Sequence, residues 1–309
     1  MNWFSAKLRQ NETIGVEFAA DGVAFAHIRR LPTQQPLLVS SEFIPVEKVE
    51  DSAEILRGRL TKLGLNKIPC NIAMNSGSYQ MLLGEAPKVP PEELAEALRW
   101  RVKDLIQFPI ADAILDAFLL PEDSARGTSR MAYAVVSQRA QVTQLIAQAK
   151  TAQLNLQAID IPELCLRNVA QACCDTKRGI ALVKLGQGGG ALQIIRDANL
   201  YLSRQFSLAY NAGLLDDLPG DALVLELQRS LDYFERQMRQ TPPSHVYLCG
   251  ENVTADKLTP EIRNSLAVKI ELFNIQAGIQ FGESVQEHSL SLCLLALGAA
   301  LREDAVGVA

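Results

Sequence analysis

The side chains able to do chemistry are few and scattered. Six cysteines stand at 70, 165, 173, 174, 249 and 293, and three histidines at 27, 245 and 288. No C-x-x-C pair occurs, and the adjacent Cys173 and Cys174 suit neither a zinc knuckle nor a mutual disulfide. The cysteines read as reduced thiols, and no metal site is expected. The run Gly188-Gly189-Gly190 lacks the G-x-x-x-x-G-K-[ST] phosphate loop, and no G-x-G-x-x-G follows a strand here. It reads as the tight turn of a hairpin. There is no G-x-S-x-G elbow and no histidine in a recognisable order with a serine or cysteine nucleophile. Asp216-Asp217 sits among turn residues and reads as a solvated pair.

The chain that must position any site has 309 residues, of which 48% are hydrophobic and 21% charged. That is globular composition with enough length for two lobes, and it excludes disorder as the main state. Thirty Lys+Arg against thirty-five Asp+Glu give a net charge of −5, so no broad basic field for nucleic acid exists. No apolar run reaches the ~18 residues of a spanning helix, and residues 1–10 lack the apolar stretch of a secretory signal.

Residues 13–29 alternate apolar positions around Asp21-Gly22, which predicts a hairpin. A third strand follows near 36–43. Ile55, Leu56, Leu60 and Leu63 predict a helix capped by Asp51 or Ser52 and ended by Gly64. Residues 68–74 and 79–83 read as two strands turning at Ser76-Gly77. Pro90-Pro91 starts a helix that runs to Pro109, with glutamates early and arginines late, as the helix dipole favours. Its expected apolar stripe is Leu94, Leu98, Val102, Leu105 and Ile106. Trp100 lies roughly 200° from that stripe. It reads either as a second packing surface within the protein or as a partner contact.

Further on, strands are predicted at 131–137, 156–161, 178–186, 191–196, 201–206, 246–249 and 268–272. Helices are predicted at 140–152, 162–171, 221–240, 258–267 and 289–301. The strand–turn–strand near the N-terminus has a second copy near the middle. The chain therefore reads as two-lobed α/β with an internal duplication.

The segments IGVEFAADGVAFAHI, ELAEALRWRVKDLIQFPIADAILDAF, LNLQAIDIPELCLRN, IALVKLGQGGGALQII, LYLSRQF, LVLELQRSLDYFERQ and VYLCGEN run in that order over nearly the whole chain. In order and spacing they resemble the actin-like ATPase superfamily, and within it the PilM-like type IV pilus assembly proteins. The resemblance is closest to the MshI-type components of mannose-sensitive haemagglutinin pilus systems. The cytoplasmic part of GspL-type secretion proteins is similar. The resemblance implies a two-lobed actin-like (ribonuclease H-like) fold with an inserted subdomain. It places the first lobe at 1–87, completed by a C-terminal helix at 289–309. The insert falls at 88–160, and the second lobe at 161–288 with a helical subdomain at 207–240.

In such folds two hairpins grip nucleotide phosphates, and an acidic side chain holds Mg²⁺ or its water shell. By resemblance the cleft positions here are Glu17, Ala19, Lys184, Gly186, Gln187, Glu226, Arg229 and Gly250. Several depart from the family pattern. Glu17 replaces an aspartate, Ala19 a glycine, Ala24 a lysine and Lys184 an aspartate, and a glycine pair has become Gly250-Glu251. An ammonium in place of a carboxylate exchanges attraction for repulsion at a metal, each about 4 kcal/mol at ~4 Å and an effective dielectric near 20. Lys184 could instead pair a phosphate directly. Glu226, Arg229 and Ser230 read either as adenosine contacts or as a solvated helix face. The cleft is expected to be degenerate. No cofactor is expected, and ATP, if it binds, would do so without a magnesium site.

The resemblance implies a cytoplasmic, non-catalytic scaffold at the inner face of the bacterial inner membrane, within a pilus assembly platform. Its partner would be the cytosolic N-terminal tail of a PilN-like inner-membrane protein, alongside other platform proteins and without nucleic acid. Membrane association would be peripheral, through that partner. In the family the tail docks between the first subdomain and the insert; Trp100, Lys103, Asp104 and Gln107, on the polar face of the inserted helix, are the expected contacts. Trp3, Phe4 and Leu8 beside Lys7 and Arg9 offer a short amphipathic arm, with a disordered start as the other reading. The alternatives are an ATPase or ATP sensor of the same fold and a GspL-like component of type II secretion.

Overall fold

Residues 11–32, 34–124, 129–285 and 287–303 are described by a computed structural model. The Asp21-Gly22 turn joins β1 (Glu12–Phe18) to β2 (Gly22–Arg29), and β3 (Leu37–Pro45) completes an antiparallel trio. After α1 (Ser52–Leu63), β4 (Pro69–Ala73) lies parallel to β1. The chain then leaves this sheet through β5 (Tyr79–Glu85), α2 (Leu94–Val102), β6 (Ala113–Leu119) and β7 (Met131–Gln138). It returns by α3 (Arg139–Thr151) to β8 (Asn155–Asp160), which pairs parallel to β4.

The second half repeats the plan. After α4 (Pro162–Cys173), the strands β9 (Ile180–Gly186), β10 (Gly189–Arg196) and β11 (Asn199–Ser207) form an antiparallel trio. Past α5 (Gly220–Asp232), β12 (His245–Gly250) lies parallel to β9; past α6 (Pro260–Arg263), β13 (Lys269–Leu272) lies parallel to β12. The order β3-β2-β1-β4-β8 in one sheet matches β11-β10-β9-β12-β13 in the other, strand for strand and direction for direction. The duplication read from the hairpins is therefore real in topology. The short β14 (Gln280–Phe281) extends the first sheet beyond β3, and α7 (Leu294–Ala300) follows.

Strand alternation assigns the faces. Ile14, Val16 and Phe18 of β1 pack outward with α1 and α3, while Ala24, Ala26 and Ile28 of β2 face α4 and α7. In the second sheet Ile180 and Leu182 face α4 and α7, whereas Ala181, Val183 and Leu185 face α5. The pair α4/α7 is thus packed between the two sheets, and residues 294–300 are buried without exception.

The approach is close enough to need glycine. A Cβ at Gly15 would stand 1.8 Å from the Ala296 carbonyl oxygen, and one at Gly298 would stand 2.2 Å from the Cys165 carbonyl oxygen. The carbonyls at the end of α7 still find donors. Asn168 Nδ2 donates to Gly298 O at 3.0 Å, Asn71 Nδ2 to Ala299 O at 2.9 Å, and Arg30 Nη2 to Ala300 O at 3.3 Å.

Several boundaries differ from the sequence reading. The strand expected to pair across Ser76-Gly77 instead becomes β5 of a separate three-stranded sheet, β5-β7-β6. The inserted layer is therefore 79–138, not 88–160; α3 and β8 belong to the first sheet. β6 was unforeseen. The helix expected to reach Pro109 stops at Val102, and turns lead from there to the proline. Leu105, expected on the apolar stripe, is 62% exposed. The helix expected at 258–267 shrinks to Pro260–Arg263, and the one expected at 289–301 to Leu294–Ala300. The proposed arm of Trp3, Phe4, Lys7, Leu8 and Arg9 lies outside the described residues.

Gly298→Ala should therefore destabilise the whole fold by about 1–3 kcal/mol, the cost of overpacking a close-packed interior. Ala296→Gly, on the same helix, should cost about 1 kcal/mol through helix propensity. Denaturant unfolding of both variants measures the difference, and equal losses would mean that the Gly298–Cys165 approach is not tight.

Candidate functional site: a cleft and a groove that share one helix

The cleft predicted from the two hairpins exists in part. A cavity of about 530 Å³ is lined by Lys184, Gly186, Gln187 and Gly188–Gly190, together with Ser76, Glu163 and Leu166. Glu17 faces the same α4/α7 layer from the first sheet. Burial pushes its carboxyl up to about 7, Lys184 across the cleft draws it down, and Asp21 adds a smaller upward push. Lys184 lines the cavity and Glu17 does not, although the lysine's charge reaches the Glu17 carboxyl. Glu163, also buried, is hydrogen-bonded by the Tyr79 hydroxyl of β5, and burial raises its carboxyl above the ordinary range. That bond ties the inserted sheet to α4 at the edge of the cleft.

The other predicted residues do not join them. Ala19 N–H donates to Gly22 O at 2.9 Å within the hairpin turn. Glu226 takes Arg229 at 2.6 Å and Arg204 at 3.1 Å, and Ser230 Oγ accepts from Arg204 Nη1 at 3.0 Å. These lie on α5, across the second sheet from Lys184, because Lys184 and Leu185 point to opposite faces. Gly250 has φ +133, and a Cβ there would stand 1.9 Å from Leu185 O, so β9 itself requires this glycine. Within the glycine run, Gly188 supplies the turn at φ +78. A Cβ at Gly189 would lie 2.3 Å from Phe206 O, so this glycine serves the close approach of β11 rather than a ligand.

A magnesium ion fits this pair of residues poorly. One is a cation, and the other is a carboxyl that is half protonated near pH 7. Among the described residues, no group of three or more His, Cys, Asp or Glu could hold a metal.

A second concavity was not anticipated residue by residue. A groove of about 460 Å³ separates the inserted sheet from the first lobe. Ile114, Asp116 and Phe118 of β6 and Val135 and Ser137 of β7 form one wall, while Val142 of α3 and Ala158–Ile161 form another. Leu164 and Arg167 of α4 line it too, as does Arg302, which is ion-paired to the buried Asp160. The helix α4 therefore serves both concavities, with Glu163 and Leu166 in the cleft and Leu164 and Arg167 in the groove.

The four expected partner contacts are elsewhere. α2 packs through Leu94, Leu98 and Val102 on Ala113, Ala132, Ala134 and Val136, the face of the inserted sheet opposite the groove. Trp100 is 69% exposed on the outer side of α2, and Lys103, Asp104 and Gln107 are exposed just beyond it. That exposure rules out Trp100 as a covered packing residue and suits a partner contact, but one outside this groove. The groove residues carried one legible signal, the alternation Ile114-x-Asp116-x-Phe118 against Ala113, Leu115 and Ala117, which lies past Pro109 in a stretch given no element.

No protein-family model matches the chain, and no curated protein matches it. Solved structures do. A chain of the PilM–PilN type IV pilus biogenesis complex superposes with TM-score 0.71 at 20% identity, covering 94% of this chain and 97% of that one. The fold is actin-like. The cytoplasmic domain of EpsL, an inner-membrane component of the type II secretion system of Vibrio cholerae, shares this actin-like fold at TM-score 0.52 and 10% identity, over 95% of this chain and 96% of that one. Among the described residues no helix is long and apolar enough to cross a membrane.

Two outcomes follow from the cleft. Glu17 holds its proton more tightly folded than unfolded, so it lowers stability as pH rises from about 4.5 to about 7. Glu17→Gln should remove that loss. It should raise the unfolding free energy at pH 8 by up to about 3 kcal/mol before solvent screening, with little change at pH 4.5. Thermal unfolding across that range would show it, and a variant less stable at pH 8 would mean that the Lys184 attraction dominates. Calorimetric titration with ATP should give the same heat with and without Mg²⁺; micromolar binding that requires Mg²⁺ would restore the ATPase reading.

Proposed function

We propose that this protein is a non-catalytic scaffold of a type IV pilus assembly platform, of the MshI type. In this reading it is cytoplasmic and sits at the inner face of the inner membrane through its partner. It holds the cytosolic N-terminal tail of a PilN-like membrane protein in the groove between the inserted sheet and the first lobe. The observation that carries the reading is that groove, about 460 Å³ with apolar walls from Ile114, Phe118, Val135, Val142 and Leu164, in a chain sharing the PilM fold over nearly its full length. Its size is that of a small-ligand or short-peptide site. The lysine at the family's metal position and the internally paired Glu226 and Arg229 support a cleft that does not hydrolyse nucleotide. The fold shared with EpsL supports a second reading, a component of a type II secretion system. The two readings differ in which membrane protein supplies the tail.

The test is binding of a synthetic peptide of the N-terminal cytosolic residues of a PilN-type protein. Ile114→Arg places a charge in the groove and should abolish binding while the protein stays folded. Trp100→Ala lies on the opposite side and should leave binding within about twofold. If Trp100→Ala abolishes binding and Ile114→Arg does not, the tail sits on α2 and the groove is not its site.

A further inference from the structure

The groove is bounded by a sheet edge. β6 pairs with β7 alone, so one row of its backbone groups has no strand partner. Which row this is can be read from two bonds. Leu120 N–H donates to Met131 O at 2.9 Å, toward β7. Ala117 N–H instead donates to its neighbour's Asp116 Oδ1 at 2.8 Å. In an antiparallel pair the inward and outward residues alternate, and the β6–β7 register carries no bulge. Ile114, Asp116 and Phe118 therefore bond to β7, and Leu115, Ala117 and Leu119 present their N–H and C=O groups outward.

That outward row opens on the groove. The side chains of Ala117 and Leu119 pack on the far face with α2, yet both residues line the groove. Their main chain is what reaches it. Across the space lies β8, itself the last strand of the first sheet, contributing Ala158, Ile159 and Asp160. Exposed edges of this kind are templates for a further strand unless they are blocked. Here the only block among the described residues is local, the Asp116 carboxylate on one amide.

We infer that the groove takes its peptide as an added strand, hydrogen-bonded to the outward groups of Leu115, Ala117 and Leu119. This rests on the docking reading above and adds the mode of recognition to it. The occupant is an extended segment of about five residues, which at ~3.3 Å each spans the row from Leu115 to Leu119. Alternate side chains of the segment face the wall of Phe118, Val135 and Leu164 and are apolar. Main-chain bonds give affinity and these pockets give specificity. Asp116 releases the Ala117 amide as the strand enters, so the free edge is covered until a peptide replaces that cover.

Amide exchange resolved to single residues, with the same PilN-type peptide as probe, tests this. On binding, the Leu115, Ala117 and Leu119 amides should slow by about tenfold or more, while Asp116 and Phe118, already in the ladder, change little. Ala117→Pro removes one outward donor without touching the ladder and should weaken binding by about fivefold. Should that variant fail to fold, N-methylation of alternate peptide amides reads the same bonds. One set of positions should abolish binding and the other should spare it. Binding that leaves the three amides unchanged overturns strand addition but keeps the groove as the docking site. No binding overturns both. Protection that appears without peptide, and grows with protein concentration, means that the edge pairs with a second copy of the chain and overturns the proposal.

Discussion

Everything in this molecule is referred to the contact between α7 and the backbone on either side of it. A helix of seven residues lies between two sheets so closely that Gly15 and Gly298 leave no room for a methyl group. Such an approach strips water from the last carbonyls of the helix, and a buried carbonyl without a donor would cost about 1–3 kcal/mol. Asn168 and Asn71 supply those donors from α4 and β4, and Arg30 from just past the end of β2. The three bonds tie the helix to the first sheet and to α4. They also fix α4, whose successive residues then fall alternately in the cleft and in the groove.

The two concavities differ in electrostatics as much as in shape. Lys184 lines the cleft, and the Glu17 carboxyl near it is held partly neutral by burial. That arrangement satisfies itself. The second-sheet helix α5 does likewise, since Glu226 bridges Arg204 and Arg229 and leaves a paired network on the far face. The groove has apolar walls and an unpaired strand edge, and it is the place where the molecule lacks something.

Much of the fold was legible because the hairpins announce themselves. Asp21-Gly22 and the glycine run at 188–190 each turn one alternating apolar run into the next, and their repetition gave the duplication before any geometry. The candidate site was less legible. Glu17 and Lys184 were located as a pair by resemblance to a known pattern. Glu226 and Arg229 lie away from the cleft because their helix packs on the other face of the second sheet, which spacing along that helix does not reveal. β6 was lost because Ala113–Leu119 follows a helix-rich stretch and its apolar density fits either period. With β6 went the groove, and Trp100, conspicuous as an aromatic on a polar face, stood in for it. The switch of β5 from one sheet to another is a choice of partner, and nothing local to Tyr79–Glu85 encodes it.

The position of α7 in the chain bears on how the protein comes into being. The strands it covers are β1, β2 and β4, all complete by Ala73, yet the helix emerges last among the described elements. For some two hundred residues of synthesis the inner face of the first sheet has no lid of its own. A nascent lobe in that condition exposes Ala24, Ala26, Ile28 and the bare backbone at Gly15 to whatever else is nearby. The first of the two lobes to be made is thus finished after the second, and a ribosome-bound chain must keep that surface out of trouble until α7 arrives.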